Sequence, residues 1–269
     1  MPRHAIRLGA LLIIASILNG CGGDTSTGPS TTPVNQTTAD DLALQTVASF
    51  NGVGGDVQVI VGGTPSSAAR ATPAPRGALP FRAQWDTTVV QGNITYTASR
   101  TFYDANDNPL ADYGPNATWL RWTSRATGWY EGPRDTATVV HTALLDVHGI
   151  QAGQDTLKFD GDCADTLENR FRSYDGTRTR YFYWVSNTSI DDVRFLKSLI
   201  QLGASWPVHG VVTIVVSADR LRSNNRADIE AHFDAIVVVT FNATGGAVIA
   251  INGMWYYQWN LATGQISRA

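Results

Sequence analysis

The sequence predicts a mostly antiparallel β protein with one or two short helices. From Phe81 to the C-terminus, apolar and polar residues alternate with a period of two, as they do along a strand with one buried face. Clusters of Asp, Asn, Gly and Pro divide this region into about nine or ten strand-like segments joined by short turns. Because such segments pair in chain order, we expect a meander that forms a curved sheet, a half-barrel or a two-sheet sandwich.

Two regions illustrate the alternation. The run RFRSYDGTRTRYFYWV predicts a hairpin, with Asp175-Gly176 in a tight turn. In residues 135–147 one strand face carries His141 among apolar residues. A histidine in that setting is more often a hydrogen-bonded core or rim residue than a catalytic one, so we interpret His141 as structural. Its apolar companions are Ala137, Val139, Ala143, Leu145 and Val147.

The segment before the strands favours a helix. Thr38 is a suitable N-cap before two acidic residues, and apolar residues follow at helical spacing, which predicts a helix over 39–50. We expect the NGVGG stretch to end this helix. The alternating valines of DVQVIVGG then predict a strand at 56–63, and residues 64–80 predict a loop.

A second helix is predicted over about 189–202. Ser189 and Asp192 have the spacing of a capping box, and Gly203 stands where a C-cap is expected. Between them, apolar residues recur on one helical face. This segment interrupts the otherwise uniform period of two.

Composition and charge narrow the class of protein. Of the 269 residues 43% are hydrophobic, enough for the core of a single β-rich domain at residues 38–269. Only 16% are charged, which is typical of exported β proteins more than of cytosolic helical ones. The net charge is −3 without any basic block, so we expect no nucleic-acid partner. The sequence contains no phosphate-binding loop, HExxH, GxSxG or paired CxxC motif, so we expect no cofactor.

The first twenty residues have the layout of an export signal. Arg3 and Arg7 precede an apolar run at residues 8–18, and its 11 residues are too few for a membrane-spanning helix. The run ends in LNGC, with Cys21 as the last residue. This ending resembles the lipobox of bacterial lipoproteins, which has Leu at −3, a small residue at −1 and then a cysteine. We therefore predict a lipoprotein signal peptide at residues 1–20.

The lipobox resemblance implies a specific modification. The Cys21 thiol would carry a diacylglycerol and its amine an acyl chain, which together anchor a protein stably to a membrane. Gly22 after the cysteine implies a place in the cell envelope at the outer membrane rather than the inner one. Residues 21–37, rich in Gly, Ser, Thr and Pro, predict a flexible tether. With Cys21 lipidated, Cys163 has no disulfide partner.

Three polar residues near the C-terminus are candidates for catalysis. Glu230, His232 and Asp234 alternate along a predicted strand and therefore share one face. Two carboxylates and an imidazole can support a metal or a general acid–base pair. A solvated strand face near a hairpin is the competing interpretation, and we favour it.

An acidic segment and an aromatic segment are weaker candidates for ligand binding. Asp160, Asp162 and Asp165 offer carboxylate oxygens of the kind that calcium prefers, but a simple hairpin turn also explains them, and we favour the turn. In the last strand, three aromatic side chains alternate on one face. They suit stacking on sugar rings, lining an apolar cavity, or packing in the core, and we favour the core. These residues are Trp255, Tyr257 and Trp259.

Taken together, these features favour a non-enzymatic, membrane-anchored binding or structural domain. One alternative is a carrier of lipid or another apolar ligand, because a curved sheet with two helices resembles, in layout, the half-barrel lipoprotein carriers. An apolar or carbohydrate ligand is thus a possible partner besides the membrane. Another alternative is an envelope hydrolase or metal protein that uses Glu230, His232 and Asp234.

Overall fold

A computed structural model describes residues 32–62, 85–91, 93–131, 135–201, 206–222 and 229–269. Residues from Thr31 to Ala269 form one compact unit. The predicted signal peptide, Cys21, most of the predicted tether and the predicted loop at 64–80 lie outside the described residues.

The described chain contains a long helix followed by a β meander with one short helix inside it. The elements in chain order are α1 (Gln36–Gly62), β1 (Trp85–Gln91), β2 (Ile94–Tyr103), β3 (Pro109–Leu110), β4 (Trp119–Glu131), β5 (Asp135–His148), β6 (Thr156–Arg172), β7 (Thr179–Leu196), α2 (Lys197–Gln201), β8 (His209–Leu221), β9 (Ile229–Phe241), β10 (Gly246–Ile251), β11 (Trp255–Asn260) and β12 (Gln265–Arg268). Among the described residues, no helix combines the length and hydropathy that a membrane crossing requires.

All strands join one curved antiparallel sheet. Its order is β1-β2-β4-β5-β6-β7-β8-β9-β10-β11-β12, with β3 paired to β2, so every long strand lies beside its neighbour in the chain. Within the described part of the chain, β1 pairs only with β2 and β12 only with β11, so the sheet stays open and is not a closed barrel. The predicted meander and curved sheet are confirmed.

The two faces of the sheet differ in burial. The side chains that face inward form a single apolar core with α1, and it includes Trp122, Trp184, Phe159 and Phe182. The outward side chains alternate with them along each strand, as a strand with one buried face requires. On β5 the predicted face from Ala137 to Val147 points inward as expected, and His141 is buried on it.

The first helix is longer than the sequence predicts. The NGVGG stretch continues α1 instead of ending it, and the predicted strand at 56–63 is wrong, because the helix runs to Gly62. Gly52, Gly54 and Gly55 each cost a helix about 1 kcal/mol relative to alanine, so local preference alone would break it there. Asp56 and Ile60 are both buried, and these tertiary contacts override the local preference.

The second helix is shorter than predicted. Ser189–Leu196 continue β7, and only Lys197–Gln201 are helical. The apolar residues Val193 and Phe195 alternate into the core, which a strand satisfies and a helix does not. The register shifts between Asp191 and Arg194, and this bulge carries Asp192 at a φ of 52°. The capping-box pattern therefore lies in an irregular strand.

The hairpin between β6 and β7 has a wider connection than the predicted tight turn. Arg172 pairs with Thr179, which leaves six residues, 173–178, between the strands. Asp175 accepts hydrogen bonds from the hydroxyl groups of Ser173 and Thr177 and stabilises the loop. Gly176 adopts a φ of 72°, the left-handed conformation that glycine tolerates best.

Candidate functional site

Polar side chains of α1 are buried against the inner face of the sheet. A carboxylate withdrawn from water is costly unless hydrogen bonds or an opposite charge replace the lost hydration. Three aspartates of α1 are in this position, and each faces a basic side chain from a strand. They are Asp40, Asp41 and Asp56.

Asp56 lies at the centre of the most enclosed group. Its Oδ1 accepts a hydrogen bond of 2.5 Å from the hydroxyl of Tyr96 and one of 3.3 Å from the indole nitrogen of Trp122. Its Oδ2 lies 2.9 Å from Nε2 of His141. The other ring nitrogen of this histidine, Nδ1, lies 2.7 Å from Oδ1 of Asp165. We call these five residues the histidine cluster.

Strand register brings the sheet members of the histidine cluster together. Tyr96 on β2 pairs with Ala126 on β4, which pairs with His141 on β5, and His141 pairs with Asp165 on β6. Directly paired residues on one sheet face are neighbours, so these polar side chains form a row across the strands. The exposed fractions of Asp56, His141 and Asp165 are 1%, 3% and 6%, so α1 closes this row off from solvent.

The geometry of His141 defines its charge. A neutral imidazole has one N–H donor, whereas here both ring nitrogens lie within hydrogen-bond distance of a carboxylate oxygen. Burial lowers the pKa of His141, but hydrogen bonds to Asp165 and Asp56, together with their charges, outweigh it and raise the pKa to about 10. At neutral pH the histidine is therefore an imidazolium that donates to both aspartates.

Asp41 is buried with less compensation. Its Oδ2 lies 3.2 Å from Nε of Arg180, but neither carboxylate oxygen accepts a hydrogen bond from the described part of the chain. Burial raises the pKa of Asp41 to about 6, and the charges of Arg180 and Arg220 offset only part of that effect. Asp41, in the N-terminal half of α1, is thus a buried carboxylate whose lost hydration is only partly compensated.

Asp40 connects α1 to the last two strands. Its Oδ1 accepts hydrogen bonds from the hydroxyl of Tyr257, at 2.8 Å, and from Nε of Arg268, at 3.0 Å. The Arg268 guanidinium also contacts the second carboxylate oxygen, so the pair is bidentate. One turn further along, Gln45 contacts Asn169 on β6. The helix is therefore bound to both halves of the sheet.

The ion pairs of the three α1 aspartates together fix the position of the helix on the sheet. Asp40, Asp41 and Asp56 can meet their basic partners only if α1 has one rotation and one translation along the inner face. Buried polar partners of this kind specify register even where their net stabilisation is small. Asp56, His141 and Asp165 are almost wholly buried, so their contacts with one another fix the position of the helix.

The residues predicted for catalysis lie on the outer face. His232 and Asp234 share that face, as the alternation predicted, and Nδ1 of His232 lies 2.7 Å from Oδ1 of Asp219 on β8. Asp234 lies farther away, 3.7 Å from Nε2. Glu230 pairs with Arg220, at 3.2 Å, and not with His232. The structure thus joins His232 to an aspartate that the sequence did not single out.

The predicted metal ligands do not converge. The hairpin-turn interpretation of their segment is wrong, because Asp160, Asp162 and Asp165 all lie within β6. Asp165 points inward to His141, whereas Asp162 is on the exposed side of the strand. Across the ranges that the structure describes, no three or more His, Cys, Asp or Glu side chains are grouped to hold a metal ion.

The predicted aromatic row is part of the core. Tyr257 and Trp259 are buried on the inner face of β11, and Trp255 is partly buried on the same face. The hydroxyl of Tyr257 binds Asp40. This row therefore offers no exposed platform for a sugar ring, which confirms the interpretation as core.

Sequence reasoning missed the histidine cluster for a specific reason. Asp56 opens a segment that was assigned to a strand, and Asp165 was grouped with its acidic neighbours as a surface feature. The one usable signal was a polar residue, His141, at an inward position of an apolar strand face. Cys163, next to this cluster on the inner face, is a free buried thiol.

No family model, no curated protein and no solved structure matches this chain.

Proposed function

We propose that this protein is a lipid-anchored protein of the cell envelope whose β domain is a non-enzymatic binding or structural module. The observation that carries the proposal is the histidine cluster. An aspartate–histidine–aspartate arrangement suggests acid–base chemistry, but its three members are almost wholly buried and bonded to one another. Their partners are groups of the protein, so their role is to hold α1 in the curve of the sheet.

The anchor rests on the sequence around Cys21. The short apolar leader and the LNGC ending support lipidation of this cysteine, and Gly22 supports the outer membrane as its location. The chain has a net charge of −3, so electrostatic attraction to anionic lipids does not supply the attachment. The lipid, and not charge, would be the anchor of the domain.

Membrane fractionation of the full chain tests the anchor. In a Gram-negative host, the wild-type protein should sediment with membranes and incorporate labelled fatty acid. Cys21→Ser should lose the fatty-acid label, whereas the matched control Cys163→Ser should keep both properties. Fatty-acid labelling that persists in Cys21→Ser would overturn the proposal, because lipid would then be attached elsewhere.

A carrier of lipid is a second candidate, favoured by the make-up of α1. Three glycines lie in the middle of this helix, and polar pairs bind both of its halves to the sheet. Beneath it lies the apolar inner face, which displacement of α1 would open to an acyl chain. Mass spectrometry of an organic extract of the purified protein should then find one lipid at a fixed ratio, beyond the lipid covalently attached. Lipid-free protein would exclude this candidate.

A further inference from the structure

The outer face of β8 to β11 carries an apolar surface that the polar network on the inner face does not explain. Val215 and Ile236 are directly paired across β8 and β9, and both are about half exposed. Tyr256 on β11 and Met254 in the turn before it are 48% and 62% exposed. We call this surface the outer patch: Val215, Ile236, Val238, Val248, Met254 and Tyr256.

The outer patch is continuous and contains no charged residue, and Asp234, two residues before Ile236 on the same face of β9, borders it. Val238 lies two residues beyond Ile236 on the same face of β9 and pairs with Ala250, which in turn pairs with Tyr256. The four strand segments that cross the patch contain no Asp, Glu, Lys or Arg. These segments are residues 211–215, 236–240, 246–250 and 256–260. An exposed apolar area without charges is uncommon on a soluble surface and marks a contact with another phase or molecule.

The N-terminal chain enters the domain beside this patch. The backbone N–H of Thr32 donates a hydrogen bond of 2.7 Å to the carbonyl of His232, on the edge of β9. His232 and Ile236 share one face of this strand, and four residues of strand span about 13 Å. The point where the chain from Cys21 joins the domain is therefore close to the apolar surface.

The length of that chain limits how far the domain can be from the lipid. Eleven residue steps separate Cys21 from Thr32, and a fully extended chain advances at most about 3.5 Å per step, or about 38 Å in total. The attachment point is thus kept within about 38 Å of the lipid on Cys21. A patch that lies about 13 Å from this point is held at high effective concentration next to lipid.

We propose that the outer patch rests on the surface of the bilayer that holds the lipid of Cys21. This inference rests on the proposed lipidation and names the face of the domain that meets the membrane. The tyrosine suits an interface that is apolar on one side and wet on the other, since its hydroxyl is bonded to the carbonyl of Gly253 and its ring is exposed. The contact is apolar, so it does not require anionic lipid.

Site-specific fluorescence on the lipidated full chain tests the contact. Ile236→Cys and Tyr256→Cys are labelled with an environment-sensitive maleimide and reconstituted into vesicles of phosphatidylcholine, with or without phosphatidylglycerol. Leu144→Cys is the matched control: Leu144 is 46% exposed on the outer face, but it pairs with Asp162 and lies four strands away, about 19 Å from Ile236. Cys163 is buried and does not compete for the label.

The expected result is a blue shift of emission at Ile236 and Tyr256 in both vesicle types, with no shift at Leu144. Circular dichroism checks the fold of each variant. If Ile236→Cys or Tyr256→Cys does not fold, Met254→Cys is labelled in its place. If Cys21 carries fatty acid but the labels at Ile236 and Tyr256 show no blue shift on vesicles, this inference is overturned and the proposed anchor stands. Absence of fatty acid on Cys21 overturns both. A shift that appears without vesicles and grows with protein concentration identifies a second copy as the occupant and also overturns the inference.

Discussion

Nε2 of His141 lies 2.9 Å from Oδ2 of Asp56, and this contact joins the middle of the sheet to the C-terminal half of α1. The two residues are 85 positions apart in the chain, and both are buried. Because Asp165 holds the opposite side of the imidazole, the histidine is a cation between two anions. The charge state of this side chain therefore affects one of the contacts that attach the helix to the sheet.

Removal of the His141 imidazole should strongly destabilise the domain. His141→Ala leaves Asp56 and Asp165 buried without their shared cation, a change that costs roughly 3–5 kcal/mol in the free energy of unfolding. Equilibrium denaturation in urea measures this loss. His209→Ala serves as the control, because His209 is a surface residue 3.4 Å from Asp192. A loss below about 1 kcal/mol in His141→Ala would contradict the paired-charge geometry.

Stability should fall as the pH rises above neutrality. The pKa of His141 is raised from 6.5 to about 10 in the folded protein, so its contribution is fully present below pH 6.5 and is lost as the pH approaches 10. A shift of this size corresponds to roughly 5 kcal/mol, since each pKa unit is about 1.4 kcal/mol. Urea denaturation from pH 6 to 10 measures the slope, and His141→Gln should flatten it.

The charge on His141 can also be observed directly. A ¹⁵N NMR spectrum of the histidine rings at pH 8 should show the imidazolium form of His141, because its pKa is about 10. This measurement does not depend on a variant that might unfold. A neutral ring at pH 8 would contradict the charged state that we assign to His141.

Protonation of Asp41 should raise the stability of the domain as the pH falls. Its pKa is raised from 3.8 to about 6, so the folded state disfavours the ionised form, and this penalty is absent below pH 3.8 and complete above pH 6. Relative to Asp41→Asn, the wild type should gain roughly 2 kcal/mol in the free energy of unfolding as the pH falls from 7 to 4. The two unfolding curves, measured in parallel, isolate this residue from other carboxylates. Parallel pH profiles would show that Asp41 is well compensated.

Thiol reactivity should report the state of both cysteines. Burial raises the pKa of Cys163, which suppresses the reactive thiolate, so the folded protein should not react with Ellman's reagent. In denaturant, the mature lipidated protein should release one equivalent of thionitrobenzoate, from Cys163, because the sulfur of Cys21 would be bonded to its lipid. Cys21→Ser gives the reference value. Rapid reaction of the folded protein would place Cys163 at the surface.

Much of the sheet could be predicted from the sequence, because each strand carries its own period of two. The inward face of β5 and the shared faces of β9 and β11 were correct for this reason. The extent of α1 could not be predicted, since Gly52, Gly54 and Gly55 oppose a helix locally, and the burial of Asp56 and Ile60, which favours it, is a tertiary effect.

The polar pairs could not be predicted from the sequence for a different reason. Asp56 and His141 belong together only through the sheet register and the seating of α1, and nothing near either residue indicates the other. Asp219 was missed as the partner of His232 because it comes from the adjacent strand. Pairings across 13 or 85 residues follow from the fold and do not appear as motifs.

The position of α1 in the chain sets an order of events during folding. This helix is synthesised before every strand, yet its partner Arg268 is the penultimate residue, 228 positions after Asp40. Contacts of such separation form late, because the entropy of closing a long loop must be overcome before they stabilise anything. Among the described elements, the first in the chain thus makes one of its contacts only with the last, and Asp40 remains hydrated until that contact forms. Loss of a few C-terminal residues would remove one of the contacts that completes the domain.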